Sequence, residues 1–175
     1  RVPTGARLKG DTLKLEVYFN VMADKMTSQQ RHRCMSSIKS LDTKPEMVVR
    51  RWLWREGFRY RLHVKSLPGT PDIVLRKLKT VIFVNGCFWH GHIEGECYRP
   101  SKSNIEFWTQ KIKRNRERDV SNSLALRSKG WKVLVVWECQ LIKKRRMETL
   151  SALSLKLSEI LLDLNGAKRY SVDLK

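Results

Sequence analysis

The segment VIFVNGCFWHGHIEGEC, residues 81–97, opens as an apolar run and closes as a loop crowded with reactive side chains. A short, continuous apolar run of this kind reads as a fully buried strand. Beyond it, two aromatics, two histidines and two cysteines fall within the eleven residues from Cys87 to Cys97. Such a loop has little hydrophobic reason to stay folded, so it needs a tether. Cys87, His92 and Cys97 are spaced C-x4-H-x4-C, and Cys139 ends a second strand-like run, WKVLVVWEC, that can return beside the first. Four ligands of these types suit tetrahedral Zn²⁺ with no open position, a structural rather than a catalytic shell. Buried strand-end thiols are the competing reading for Cys87 and Cys139. Spacing alone leaves the two open.

The length of 175 residues fits one domain with a real core. Lysine and arginine number 36 against 17 acidic residues, a formal charge of +19. That imbalance draws the chain to a polyanion, nucleic acid first, although a non-enzymatic chromatin-like or ribosomal binder fits it equally. No apolar stretch approaches the ~20 residues of a membrane span, and Lys14, Glu16 and Asn20 break the mildly apolar Thr12–Met22. No membrane partner is expected, and the cytoplasm is the default location. Cys34, Cys87, Cys97 and Cys139 in such a protein point to metal rather than to disulfides.

Along the chain, residues 1–23 read as a disordered or non-native extension, 24–165 as a single domain and 166–175 as a tail. The basic stretch Thr27–Ser40 is either a solvated leader or a DNA-touching arm. A helix is predicted from Pro45 to Glu56, with Thr43-x-x-Glu46 as capping box and Gly57 as stop. Phe58–His63 alternates like an edge strand, LPGTPD turns, and Asp72–Leu75 and TVIFVN follow as strands. A helix from Asn104 to Ser128, capped by Ser103-x-x-Glu106, precedes the WKVLVVW strand and a final helix from Met147 to Leu164. This order predicts a mixed α/β sheet with helices on its faces.

TKPE, LPGTPDIVL, VIFVNGCFWHGH, FWTQKIKRNRERD and GWKVLVVWEC, taken together and in order, resemble the very short patch repair (Vsr) endonucleases. The likeness is collinear from about Met22 to Cys139. It implies a restriction-endonuclease-like mixed sheet flanked by helices, a structural zinc on Cys87, His92, Cys97 and Cys139, and a magnesium-dependent active site. The implied reaction is a nick in double-stranded DNA, 5′ to the thymine of a T:G mismatch left by 5-methylcytosine deamination. The resemblance further implies a monomer of the bacterial cytoplasm acting at the nucleoid, with the mismatch-repair protein MutL as a partner.

Phosphodiester cleavage with Mg²⁺ needs hard oxygen ligands. TPD alone describes a turn-capping aspartate; the resemblance makes Asp72 a magnesium ligand, joined by the Val84 backbone carbonyl. Histidine can take a proton from water at neutral pH, and the resemblance assigns that role to His90, although spacing does not separate His90 from His92. Glu46 is implied to hold the metal's waters, while its place in the capping box gives it a second role. Phe88, Trp89 and Trp108 are implied to form a wedge between base steps, where unstacking costs least at a weakly paired site. Met35, Lys111 and Asn115 would contact the mismatched pair, and Arg114, Arg116 and Arg118 the phosphates. Asn85 stands where the family often has histidine. A nicking enzyme of other site preference and a non-catalytic zinc-stabilised DNA binder therefore remain as rival readings.

Overall fold

The computed structural model describes residues 27–36, 41–93, 97–101 and 104–172. The expected extension at residues 1–23 and the expected cap Ser103 lie outside these. Four short strands make one mixed sheet in chain order: β1 (Arg61–Leu62), β2 (Ile73–Leu75), β3 (Thr80–Asn85) and β4 (Lys132–Trp137). β1, β2 and β3 pair antiparallel, whereas β3 and β4 are parallel. Antiparallel neighbours tolerate a tight link, supplied between β2 and β3 by a 3₁₀ turn at Arg76–Leu78. Parallel neighbours demand a long crossover. The 24-residue helix Ile105–Ser128 supplies it.

That crossover helix is α3; α1 is Ser28–Ser36, α2 Lys44–Arg55 and α4 Arg146–Val172. The alternation in the strands decides which helix each face receives. Ile73, Leu75, Ile82 and Val136 meet Val49 and Leu53 of α2 and Leu150, Leu153, Leu157 and Ile160 of α4. The opposite face, Val74 and Val81, meets Leu126 of α3. The sheet is thus sandwiched between α2 with α4 and α3. Each buried Leu or Ile contributes roughly 1.5–3 kcal/mol.

Three boundaries differ from expectation. Of Phe58–His63 only Arg61 and Leu62 join the sheet, because His63 leaves the extended region at φ 44°. The final helix runs past Leu164 to Val172, since Ala167, Lys168 and Arg169 favour helix enough to carry it through Gly166. Asn104, not Ser103, occupies the N-cap of α3, left-handed and without a side-chain cap.

Candidate active site and cysteine cluster

The parallel register carries β3 and β4 to Asn85 and Trp137 as their last pair. Cys87 and Cys139 each follow two residues later, so the sheet itself delivers them to one place. His92 completes the group. Its Nδ1 lies 3.0 Å from Cys97 Sγ, 3.4 Å from Cys139 Sγ and 3.8 Å from Cys87 Sγ. Bond lengths of about 2.3 Å to sulfur and about 2.0 Å to nitrogen, at a tetrahedral angle, separate N and S by about 3.5 Å. The observed distances bracket that edge, and the four candidate atoms all lie within 4.8 Å of one another. The set can hold a metal ion such as zinc. Burial and the adjoining sulfurs push the Cys87 thiol up to about 12 and raise Cys139 as well. Three thiolates here need a cation among them. Trp137 lies flat against the His92 ring, 4.0 Å away and tilted by 8°, and fixes its plane.

His90 stands apart from this cluster. Gly91 between the two histidines takes φ 57°, and their rings find different partners. His90 Nδ1 is 2.5 Å from Asp119 Oδ2. One helical turn earlier on α3, Asn115 donates its amide to the Trp89 carbonyl at 2.9 Å. A single face of α3 therefore grips the Trp89-His90 dipeptide by backbone and by ring. Asp119 was missed in the sequence because RNRERD reads as a solvated charged face.

Asp72 sits just before β2, half-buried. Its Oδ2 accepts the Val84 N–H at 2.7 Å. Continuing the β2–β3 register two residues past Ile73–Ile82 sets Pro71 opposite Val84. A strand residue shows its N–H and C=O to the same edge, so the Val84 carbonyl faces the Asp72 side. Pro71 has no N–H with which to cap it. A carboxylate beside a carbonyl that Pro71 cannot cap offers a hard-oxygen pair of the kind Mg²⁺ accepts. Burial raises the Asp72 pKa; the Val84 N–H opposes this, Glu46 adds to it, and His63 and His90 lower it.

Glu46 resolves its two expected roles. Thr43 Oγ1 accepts the Glu46 N–H at 3.4 Å, which is half of a capping box. The other half is not made. The carboxylate turns inward, only 2 % of the side chain exposed, with Oε1 3.1 Å from Arg50 Nη1 and 3.2 Å from His63 Nε2. Sequence reading had picked out neither Arg50 nor His63 as part of the site.

Phe88 makes edge contacts with Trp89 and Trp108, ring centroids 5.3 and 5.1 Å apart, and Trp89 meets Trp108 at 5.7 Å. Phe107 and Tyr98 extend the cluster. Lys111 Nζ sits 5.3–5.6 Å from the rings of Trp108, Phe107 and Trp89. Arg114, Arg116 and Arg118 are exposed along the same helix. Met35 lies in α1, its side chain outside the described residues.

A profile of the family described as DNA mismatch endonuclease Vsr matches residues 23–99, which include Glu46, Asp72, Val84, His90 and three of the four cluster residues. The chain is 50 % identical over 123 residues to the Type II nicking enzyme V.NmeAIP of Neisseria meningitidis, covering 70 % of this chain and 87 % of that one. It belongs to the Vsr family. Two further relatives agree. The Type II nicking enzyme V.XorIIP of Xanthomonas oryzae pv. oryzae is 44 % identical over 140 residues, 80 % of this chain and 98 % of its own. The DNA mismatch endonuclease Vsr of Escherichia coli is 39 % identical over 140 residues, 79 % and 87 %. Membership makes DNA the polyanion that the +19 charge attracts. Among the described residues no helix is long and apolar enough to cross a membrane.

Proposed function

We propose that this Vsr-family chain is a Mg²⁺-dependent, strand-specific endonuclease that nicks double-stranded DNA 5′ to the thymine of a T:G mismatch. The observation that carries the reading is the meeting of two pairs, Asp72 with the Val84 backbone and His90 with Asp119. They are close enough for His90 to act electrostatically on Asp72. Asp72 and the Val84 carbonyl would hold Mg²⁺, which when bound neutralises phosphate charge and stabilises the leaving oxygen. Asp119 holds Nδ1 of His90, which leaves Nε2 to take the proton of the attacking water. The water oxygen forms the new bond to phosphorus as the bond to the 3′ oxygen of the preceding nucleotide breaks. Glu46, Arg50 and His63 line the metal side.

Selectivity belongs to the aromatic cluster. Phe88, Trp89 and Trp108 are only partly buried, and Trp89 directly precedes His90. Inserting them costs a few kcal/mol of unstacking, least at a wobble pair. Lys111 lies among these rings, within reach of an exposed base edge, as does the α3 face bearing Asn115; Met35 is assigned by resemblance. Arg114, Arg116 and Arg118 suit phosphates. Zn²⁺ is assigned to Cys87, His92, Cys97 and Cys139, where it would pin the loop that carries Phe88, Trp89 and His90. The mixed sheet with helices on both faces is compatible with a restriction-endonuclease-like fold.

A second reading has its own support, since relatives at 50 % and 44 % identity bear the name Type II nicking enzyme. Nicking of duplexes carrying every mismatch, in several flanking contexts and with Mg²⁺, separates the two. Cleavage 5′ to T confined to T:G duplexes is the expected result. Equal cutting of fully paired DNA favours the second reading, and tight binding without scission by any divalent ion sinks both.

A further inference from the structure

His63 looks, in sequence, like the end of an edge strand. In the structure it does something else. Its backbone is left-handed at φ 44°, a conformation that residues other than glycine seldom adopt and that gathers at functional sites. The ring is turned inward, and both of its nitrogens are shut off from solvent without a hydrogen-bond partner. Nε2 stands 3.2 Å from Glu46 Oε1, within ion-pair distance but not aligned for a hydrogen bond. The charge of the same ring also acts on Asp72.

Asp42, Glu46 and His63 lie close enough to suggest a separate metal site. Arg50 speaks against one. Its guanidinium already bridges Asp42 at 2.5 Å and Glu46 at 3.1 Å, so a cation is present where a metal would have to sit. What stays unmet is the imidazole itself. A neutral imidazole offers one donor and one acceptor. Nε2–H has the Glu46 carboxylate before it, which leaves Nδ1 as acceptor.

We propose that His63 is a positioning residue for the metal side of the active site: its Nε2 edge, 3.2 Å from Glu46 Oε1, holds that carboxylate in place beside the Asp72-held cation. The inference rests on the metal-dependent reading above. Glutamine carries one donor and one acceptor on a comparable reach, whereas alanine and leucine carry neither, and this sets the test. Mn²⁺ binding to the full-length protein is followed by electron paramagnetic resonance, with Asp72→Ala defining binding outside the site. His63→Ala is expected to weaken the Asp72-dependent binding by about 10- to 100-fold, the usual effect of losing a partner behind a metal ligand. The Mg²⁺ needed for half-maximal nicking should rise in step. His63→Gln should recover most of both, with DNA affinity and bound zinc unchanged. If His63→Ala fails to fold, His63→Leu fills the space without polar atoms and replaces it in the comparison with His63→Gln. Equal Mn²⁺ binding by the apolar and Gln variants overturns the proposal, as does the absence of Asp72-dependent binding in the wild type. Wild-type protein that binds Mn²⁺ through Asp72 but cuts paired DNA as fast as T:G would refute the mismatch reading and leave His63's role standing.

Discussion

Asp119 places a carboxylate oxygen 2.5 Å from Nδ1 of His90, joining residues 29 apart in the chain. The contact selects the tautomer with the proton on Nδ1 and keeps the lone pair of Nε2 free. It also compensates the imidazolium that forms once a proton arrives. Asp119→Asn removes that charge and lets the amide favour the wrong tautomer. Single-turnover nicking should slow by about 10²–10⁴-fold, the range for losing acid–base assistance, with DNA affinity unchanged. His90→Ala should slow it at least as much, and the double variant should be little worse than His90→Ala, because the two act as one unit. A wild-type rate in Asp119→Asn would remove His90 as the base.

The difference between what could be read and what could not follows from this contact. β3 and β4 were legible because apolar runs bounded by breakers have few other uses. Cys139 was legible as a neighbour of Cys87 because it ends such a strand, and parallel pairing then delivers it there. Asp119, Arg50 and His63 were not. Each is a polar residue in a charged or alternating stretch, where solvent is the ordinary destination. Only the crossover of α3 over the sheet and the left-handed turn at His63 bring them inward. Choosing between His90 and His92 likewise needed Gly91, whose backbone no spacing rule encodes.

Asp72 should show a conflict between activity and stability. Burial, first among its influences, raises its pKa above the ordinary 3.8. The folded protein therefore holds this proton more tightly than the unfolded chain. The resulting stability is fully present below the unfolded pKa and lost as pH rises through the folded one, so the ionised carboxylate burdens the fold at neutrality. Asp72→Asn, whose amide oxygen still accepts the Val84 N–H, should raise the Tm at pH 7 without added Mg²⁺. It should leave the Tm unchanged at pH 3. For a chain of this size each kcal/mol amounts to about 2–4 °C. The same variant should lose about 10³-fold or more in nicking, in line with the several kcal/mol a metal supplies. Calorimetry at the two pH values checks the sign.

The cysteine cluster predicts one tightly held zinc per chain. Cys139→Ser removes the sulfur that would tie the loop to β4 and leaves Cys87 as a thiol whose ionisation burial disfavours. Elemental analysis should find zinc reduced to a minor fraction. Limited proteolysis should then cut between Cys87 and Cys97 faster than in the wild type. Full zinc occupancy in Cys139→Ser would exclude it as a ligand.

Trp108 tests how the mismatch is selected. Its ring centroid lies 5.1–5.7 Å from those of Phe88, Trp89 and Phe107. Trp108→Ala should weaken binding to T:G duplexes by about 1–3 kcal/mol, the usual worth of a stacked base, with little change for paired DNA. Arg114→Ala should instead weaken both duplexes alike and flatten the salt dependence, as loss of a phosphate contact does. Competition binding at two salt concentrations separates a ring that reads the mismatch from one that only covers the loop.

Gly91 joins His90, which Asp119 holds, to His92 of the cysteine cluster, and any side chain there would be strained. Its φ of 57° is unfavourable to any side chain, and an added Cβ would fall 2.7 Å from Ile112 Cγ2. Ile112 is itself a buried residue of α3 and has little room to yield. Gly91→Ala must either strain the turn or push the loop off α3, breaking the Asn115 and Asp119 contacts to Trp89 and His90. The strain alone amounts to about 1–3 kcal/mol. We expect a lower Tm together with a nicking loss close to that of Asp119→Asn, because His90 would be displaced from the same carboxylate. Ile112→Leu, which lacks the Cγ2 methyl, should relieve the clash but not the backbone strain, so the double variant should regain only part of each. Full recovery would mean that contact with Ile112 alone requires glycine here. No recovery would mean that the left-handed turn requires it.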